Sequence, residues 1–165
     1  MGLGQTTKLT SQYAKCKNTN AILDVIEHDR KWIEVYSEKL DKSQNFNIYQ
    51  LDLTPFEYNN THNEKYENLE SIVLTKTYDL IIIDGPYGFD RLYPRTNVLD
   101  LIPNNLSSDF VIILDDSERD GETNTANLIF EKLDANGIKY YTSYKTALKT
   151  QLIITSEKFS FVNYF

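Results

Sequence analysis

The 165-residue sequence has little of what would place it outside the ordinary globular proteins. Its one cysteine, Cys16, excludes a disulfide framework within the chain and a cysteine-rich zinc site. Its 17 Lys and Arg stand against 24 Asp and Glu, and the net charge of −7 argues against a nucleic-acid partner. With 41% hydrophobic and 25% charged residues, residues 1–165 are long enough to bury a core and predict a single domain.

Long hydrophobic segments are missing as well. No apolar run approaches the ~20 residues that a membrane helix needs, so we predict no membrane segment. The N-terminal sequence MGLGQTTKL lacks the charged and apolar regions of a signal peptide. Together these absences predict a cytoplasmic protein.

What is present is an alternation of apolar strands with helical patterns. Strands are predicted at 21–26, 46–51, 78–83 and 110–114, the last two rich in Ile, Leu and Val without alternating polar residues, as parallel strands covered on both faces are. Two further strand-prone segments, 138–144 and 151–155, predict an antiparallel pair at the C-terminus. The fold class is therefore α/β, with a Rossmann-like, doubly wound and mostly parallel sheet.

Helical spacing of apolar residues marks the segments between these strands. Asp29 and then Asp120 or Thr123 are the predicted helix starts, and Asn136-Gly137 is a predicted helix end. The residues expected to face inward are Trp32, Val35, Tyr36 and Leu40 in the first helix, Tyr66, Leu69, Ile72 and Val73 in the next, and Ala126, Ile129, Phe130 and Leu133 in the last.

Acidic residues end several of the predicted strands. Asp84 follows three isoleucines and is itself followed by Gly85-Pro86, and Asp115-Asp116 end the next strand. Because ligands of such sheets bind at the carboxyl ends of the strands, we expect these carboxylates to meet there. Carboxylates that close hold a proton or a cation, and oxygen ligands suit Mg²⁺. The alternative is that Asp115 and Asp116 cap the next element and that Arg119 neutralises them.

A glycine turn precedes the first predicted helix, residues 8–15. Gly2 and Gly4 would let the backbone approach a ligand, with Thr6 at the helix start, although two glycines near an N-terminus can also mean flexibility alone. Glu27 lies 23 residues after Gly4, an offset at which an acid binds ribose hydroxyls, or else Glu27 caps the following helix.

Three further groups are candidate contacts at the same edge. Asp52 ends the second strand and could accept a hydrogen bond from an adenine amine, or form a turn before Pro55. His28 could line a pocket or lie exposed at a helix start. The loop after Asp84 carries residues that could bind a sugar or an acid, or pack at the base of the loop: Tyr87, Phe89, Arg91, Tyr93 and Arg95.

The segments "MGLGQTT", "ILDVIEHDRKWIEVYSEKL", "YDLIIIDGPYGFDR" and "VIILDDSER" resemble the class I S-adenosylmethionine-dependent methyltransferases. "IEHDRKW" and "IDGPYG" are most similar to the polysaccharide and glucuronoxylan O-methyltransferases. The pair Asp84 and Asp115-Asp116 is similar to the metal site of catechol-type O-methyltransferases, where Asn commonly stands in place of Asp116.

The resemblance implies methyl transfer from S-adenosylmethionine to an oxygen of a sugar or small-molecule acceptor. It places Gly2, Gly4, Thr6, His28 and Gly85 along the cofactor, Glu27 at its ribose, and Asp52 near its adenine. Asp84 would face the transferred methyl group as the catalytic base. Tyr87, Arg91 and Arg95 are the predicted acceptor contacts.

The chain departs from that family at its start. The family has a central strand before the glycine turn, and here the turn follows Met1 directly. We therefore expect an N-terminally truncated domain that lacks this strand, and a non-catalytic cofactor- or nucleotide-binding domain is the alternative function. A nicotinamide enzyme is disfavoured because Thr7 stands where G-x-G-x-x-G has its third glycine. A metal-dependent glycosyltransferase has weaker support.

Overall fold

The computed structural model describes residues 1–16, 20–38 and 45–165. In these ranges the α-helices α1 to α4 lie at Gln5–Cys16, Arg30–Ser37, Leu69–Val73 and Asp120–Ala135. The β-strands β1 to β8 lie at Leu23–Glu27, Phe46–Gln50, Leu53–Tyr58, Thr61–Tyr66, Tyr78–Ile83, Leu106–Leu114, Tyr141–Thr146 and Thr150–Thr155. Two 3₁₀-helices occupy Thr96–Leu101 and Glu157–Tyr164.

The strands form an α/β architecture, as the sequence predicted, but the described strands make three antiparallel and two parallel pairs, so the predicted mostly parallel sheet is not found. β1 and β2 pair in parallel, and so do β5 and β6. β8 pairs antiparallel with both β6 and β7, which confirms the C-terminal antiparallel pair. The resulting order is β5-β6-β8-β7 in one sheet and β1-β2 in another. The third sheet is a β3-β4 hairpin that the sequence analysis did not predict.

A gap separates β1 from β5. In the described part of the chain, β1 pairs with β2 alone and β5 with β6 alone. Met1 and Gly2 cross the gap at its carboxyl end. The Met1 amino group donates to the Ile82 carbonyl at 2.6 Å, the Asp84 N–H donates to the Met1 carbonyl at 3.0 Å, and the Gly2 N–H donates to the Ile26 carbonyl at 2.9 Å. Next to these bonds is a cavity of about 570 Å³, lined by α1 and by residues of β1 and β5.

The main core lies between the four-stranded sheet and α4. Its fully buried side chains include Ile83, Ile112 and Leu114 of the strands and Ile129 and Leu133 of α4. Each such side chain contributes about 1.5–3 kcal/mol relative to an exposed one. The inward positions predicted for α4 are therefore confirmed, and Gly137, with φ +65°, has the left-handed backbone expected after the helix.

A second and much smaller cluster lies on the other side of the gap. Its buried members are Leu3 and Val25, with partly buried apolar side chains from α2 and β2 around them. The Asp29 side chain accepts from the Trp32 N–H at 3.1 Å and caps α2, as predicted. No residue of α2 is fully buried.

The predicted inward face of α2 was wrong in part. Trp32 and Val35 are 42% and 48% exposed, and Ile33 packs inward in their place. Tyr36 packs inward as predicted. Leu40 lies outside the described residues. Tyr66 is buried but belongs to β4, because a hairpin occupies the segment before α3 and shortens that helix to five residues.

Candidate functional site

The carboxyl ends of β1, β5 and β6 meet at one rim of the molecule, with Glu27, Asp84 and Asp115 on it. The Met1 amino group donates to the Ile82 carbonyl next to this rim. Burial lowers the pKa of this amino group to about 6, while the charges of Asp84 and Glu27 act in the opposite direction. The Glu27 carboxylate accepts from the Leu3 N–H and the Asp84 N–H donates to the Met1 carbonyl, so the glycine turn links these two predicted site residues.

Gly2 and Gly85 form the tightest part of the rim. Gly2 has φ +90°, and a Cβ added to it would lie 2.9 Å from the Asp84 carbonyl carbon and oxygen. A Cβ at Gly85 would lie 3.1 Å from the Gly2 Cα and 2.8 Å from the Tyr66 hydroxyl. Both positions therefore require glycine, since two backbone turns pass each other there.

Gly4 differs from these two glycines. A Cβ at Gly4 would meet nothing within 4 Å, so the backbone there is open on the side where a side chain would be. Gly4 precedes α1, and the exposed Thr6 lies in the first turn of that helix. No acidic residue lies in that turn, which leaves the positive end of the helix dipole available to a negative group.

Glu27 holds the glycine turn in place. One carboxylate oxygen accepts from the Leu3 N–H at 2.9 Å, and the other accepts from the N–H groups of His28 and Asp29 at 2.7 and 3.0 Å. The Trp32 indole N–H donates to the Leu3 carbonyl at 2.5 Å. This bond explains why Trp32 lies on the turn rather than in the core.

His28 and Asp52 occupy different environments. The His28 ring is partly buried, with Nδ1 2.9 Å from a Glu27 oxygen and its edge toward the Tyr87 ring at 5.5 Å between centroids. Asp52 is exposed just before β3, and its carbonyl accepts from the Glu67 N–H at 2.8 Å. Its carboxylate thus lies on the surface, where a ligand can reach it.

Asp84, Asp115 and Asp116 form an acidic cluster at the ends of β5 and β6. One oxygen of each lies within 4.8 Å of the others. The Asp84 side chain is 41% exposed, whereas Asp115 and Asp116 are buried. Burial and the charge of Asp115 raise the pKa of Asp84, so its carboxylate holds a proton more strongly than a free aspartate does.

Arg95 pairs with this cluster from inside the protein. It is 3% exposed, and its guanidinium donates to the Asp115 carbonyl at 2.7 Å, the Asp116 carboxylate at 2.9 Å and the Pro86 carbonyl at 3.3 Å. Arg95 and Asp116 both have left-handed backbones, with φ 60° and 58°, which the tight loop around their ion pair sustains. The position of Arg95 therefore argues against the predicted acceptor contact, because its donors are used internally.

The other two predicted acceptor contacts remain closer to the surface. Arg91 pairs with Glu64 of β4 at 2.6 Å, which fixes the loop after Asp84 onto the unpredicted hairpin. The Tyr87 ring is 68% exposed beside His28. Of the three, Tyr87 is therefore the most accessible to an acceptor.

Sequence reasoning missed Lys149. Its ammonium lies 3.0 Å from an Asp115 oxygen and 2.8 Å from an Asp116 oxygen. Arg119 adds a third cation, 2.9 Å from Asp116, as the alternative interpretation of these acids had it. Lys149 stands directly before β8 in the sequence. Because β8 runs antiparallel to β6, the start of β8 lies beside the end of β6, where Asp115 and Asp116 are.

The acidic cluster as it stands does not fit a divalent cation. Both buried aspartates already have cationic groups on their oxygens, from Lys149, Arg95 and Arg119. A metal would have to displace the Lys149 ammonium, which already bridges Asp115 and Asp116. We therefore assign no chemical step to a metal at this site.

Comparison with known proteins supports the fold. No protein-family profile matches the chain, and no curated protein sequence matches it. The structure is similar to the crystal structure of a protein from Staphylococcus aureus described as a "putative caffeoyl-CoA O-methyltransferase", with a TM-score of 0.53. The match covers 94% of this chain and 85% of the other at 13% identity, and at that identity it shows a shared fold alone.

Two further properties bear on the predictions from composition. In the described ranges, no helix is both long enough and apolar enough to cross a membrane. Cys16 is exposed at the end of α1.

Proposed function

We propose that this domain binds S-adenosylmethionine and transfers its methyl group to an oxygen of a sugar or small-molecule acceptor. The proposal is supported by the fold shared with a protein described as an O-methyltransferase. The observation that carries it is the glycine turn, which Glu27 and Trp32 hold at the rim, directly before α1 and against the turn after Asp84.

The residues around the turn fit such a cofactor. Gly4 and Thr6 at the start of α1 offer an open backbone and a helix N-terminus to the carboxylate of the methionine part. The Glu27 oxygen that accepts from the Leu3 N–H has about one acceptor position left for a ribose hydroxyl, whereas the other oxygen already faces the N–H groups of His28 and Asp29 and the His28 ring nitrogen. Asp52 is exposed and free to accept from an adenine amine. When bound, the cofactor supplies an electrophilic methyl carbon on its sulfonium.

Asp84 is the proposed base for the acceptor. It is exposed enough to reach a bound hydroxyl, and its raised pKa favours proton uptake from that hydroxyl. The protein's larger task is alignment, because the acceptor oxygen attacks the methyl carbon in line with the sulfur. The exposed rings of Tyr87 and Phe89 lie beyond Asp84 and are suited to stack on a sugar or an aromatic acceptor.

Titration calorimetry and a transfer assay together test this proposal. The first measurement is binding of S-adenosylmethionine and of its demethylated product, and absence of heat with both would overturn the proposal. The second is transfer of a labelled methyl group to a panel of hydroxyl acceptors. Asp84→Asn should lower turnover by about 10²-fold or more with cofactor affinity nearly unchanged. The control is Asp109→Asn, an exposed acid that pairs with Lys158 at 2.8 Å.

A non-catalytic cofactor-binding domain is the second candidate, and the gap between β1 and β5 is the observation that favours it. Cofactor binding without transfer to any acceptor of the panel would support this candidate. Turnover by the parent chain that Asp84→Asn abolishes would exclude it.

We also propose that the gap accepts one more parallel strand, joined to the nitrogen of Met1. The N–H and C=O groups that face the gap need partners, and Met1 already pairs on the line that such a strand would follow. An amide at this nitrogen would also replace a buried ionisable amino group by a group that carries no charge at any pH. A five-residue Val/Ile-rich extension before Met1 should raise the melting temperature by about 4 °C or more. A Gly/Ser extension of equal length is the control, and an equal effect of both would overturn the proposal.

A further inference from the structure

Hydrogen bonds of the backbone around Lys149 fix where its flexible side chain starts. Lys149 lies in the turn between β7 and β8, where the Ala147 N–H donates to the Lys149 carbonyl at 2.9 Å. The next residue, Thr150, bonds to the segment after the acidic cluster on both sides. Its carbonyl accepts from the Ser117 N–H at 2.9 Å, and its N–H donates to the Glu118 carboxylate at 2.8 Å.

This anchoring places one positive charge among three carboxylates. The ammonium bridges Asp115 and Asp116, and its charge also acts on Asp84, whose own oxygen lies within 4.8 Å of one oxygen of each of the other two. The side chain is 51% exposed, so the ammonium reaches the cluster from the solvent side. That is also the side from which a hydrated ion would enter.

Arg95 and Arg119 bond to other oxygens of the cluster than the Lys149 ammonium does. Arg95 bonds to the cluster from the buried side, and Arg119 holds the Asp116 oxygen that Arg95 also holds. The Asp115 carboxylate and the second Asp116 oxygen are left to Lys149, with Gln151 donating to Asp115 at 3.1 Å. Removing the ammonium would therefore take the cation from Asp115 and open one Asp116 oxygen, while Arg95 and Arg119 stay on the other Asp116 oxygen.

We propose that Lys149 is the resident cation of this cluster and keeps divalent metal ions out of it. Loss of the ammonium would convert Asp84, Asp115 and Asp116 into a site for a hard divalent cation, since their oxygens are close enough to share one ion. If the proposed methyl transfer holds, the acceptor oxygen next to Asp84 would face a lysine ammonium rather than a metal.

Manganese binding tests the proposal without any assay of methyl transfer. Free Mn²⁺ is measured by electron paramagnetic resonance while the parent protein and Lys149→Met are titrated. The variant should bind Mn²⁺ at least about tenfold more tightly. A tenfold change in affinity corresponds to ~1.4 kcal/mol, and the repulsion between the Lys149 ammonium and a nearby dication is larger than that. Lys139→Met is the matched control, because Lys139 pairs with the exposed Glu157 at 3.4 Å, away from the cluster.

Two further variants make the result specific. Lys149→Arg keeps the charge and should keep Mn²⁺ out. Asp115→Asn added to Lys149→Met should remove the new site, which separates it from adventitious surface binding. Equal Mn²⁺ affinity in the parent and in Lys149→Met, whether tight or weak, would overturn the proposal. A far-ultraviolet circular dichroism spectrum like that of the parent shows that each variant is folded.

Discussion

Replacing Arg95 with methionine tests whether the acidic cluster is held together from inside. Arg95 and its main partner Asp116 are both about 3% exposed at their side chains. Removing one partner of a buried ion pair costs about 3–5 kcal/mol, because the other charge is left buried and uncompensated. Here Arg119 and Lys149 still pair with Asp116, so we expect the lower end, about 3 kcal/mol. That is a large part of the roughly 5–15 kcal/mol that stabilises a domain.

Arg30→Met is the matched control. Arg30 pairs with Glu34 at 3.2 Å on the surface of α2, with both side chains more than half exposed. Such a pair contributes about 0.3–0.5 kcal/mol, so the control should unfold almost as the parent does. The two variants differ in the burial of the arginine and not in the residue exchanged.

Urea unfolding at neutral pH measures both variants. Trp32 is the single tryptophan and reports on the glycine turn by fluorescence, while circular dichroism follows α4. Arg95→Met should unfold at a lower urea concentration with an unchanged slope. A loss below about 1 kcal/mol, similar to that of the control, would refute the internal role given to Arg95.

Three further predictions concern single side chains. Asp84→Asn should be more stable than the parent at pH 7 by less than about 1 kcal/mol. The pKa of Asp84 is raised in the folded protein, so the stability of the parent falls as the pH rises above 3.8, the usual pKa of an aspartate. Urea midpoints at pH 4 and pH 7 check this, and an advantage of the variant only at pH 4 would contradict it. Gly121→Ala should lose about 1–3 kcal/mol, since its Cβ would overlap a backbone carbonyl, whereas Gly4→Ala should stay within about 0.5 kcal/mol by thermal unfolding. Tyr66→Phe should be neutral or stabilising because its buried hydroxyl has no hydrogen-bond partner among the described residues, while Tyr78→Phe should cost about 1 kcal/mol with the bond to Asp24; equal losses would be the contrary result.

The sequence predicted best where a local pattern decides the structure. The isoleucine-rich run at the end of β5 and the spaced apolar residues of α4 each favour one arrangement that buries most of them, and both elements formed as predicted. The meeting of acids at one rim followed from a rule about strand ends, so Asp84 and Asp115 could be placed together without coordinates.

The hairpin β3-β4 was missed because its strands are polar and contain Pro55. Their burial alternates weakly, and the pattern of apolar residues falls below what marks a strand. The turn did carry a signal: Asn59 and Asn60 both have left-handed backbones, as asparagine in a two-residue hairpin turn permits.

The site predictions failed where residues distant in the chain decide the outcome. Nothing near Arg95 in the sequence indicates that it turns inward toward Asp116, 21 residues away. Lys149 depends on β8 lying antiparallel beside β6, and no local pattern fixes that pairing. Long-range pairing therefore limited the prediction of the site more than the prediction of the secondary structure.

The small cluster around Leu3 and Val25 has a consequence for how the protein would respond to a ligand. This side of the molecule has few buried apolar side chains, and α2 has no fully buried residue, so local opening should begin here rather than around Ile112. The same side carries Glu27 and the glycine turn. A molecule bound to the turn would suppress that opening, and slower amide exchange in β1 and β2 would report its arrival before any product is formed.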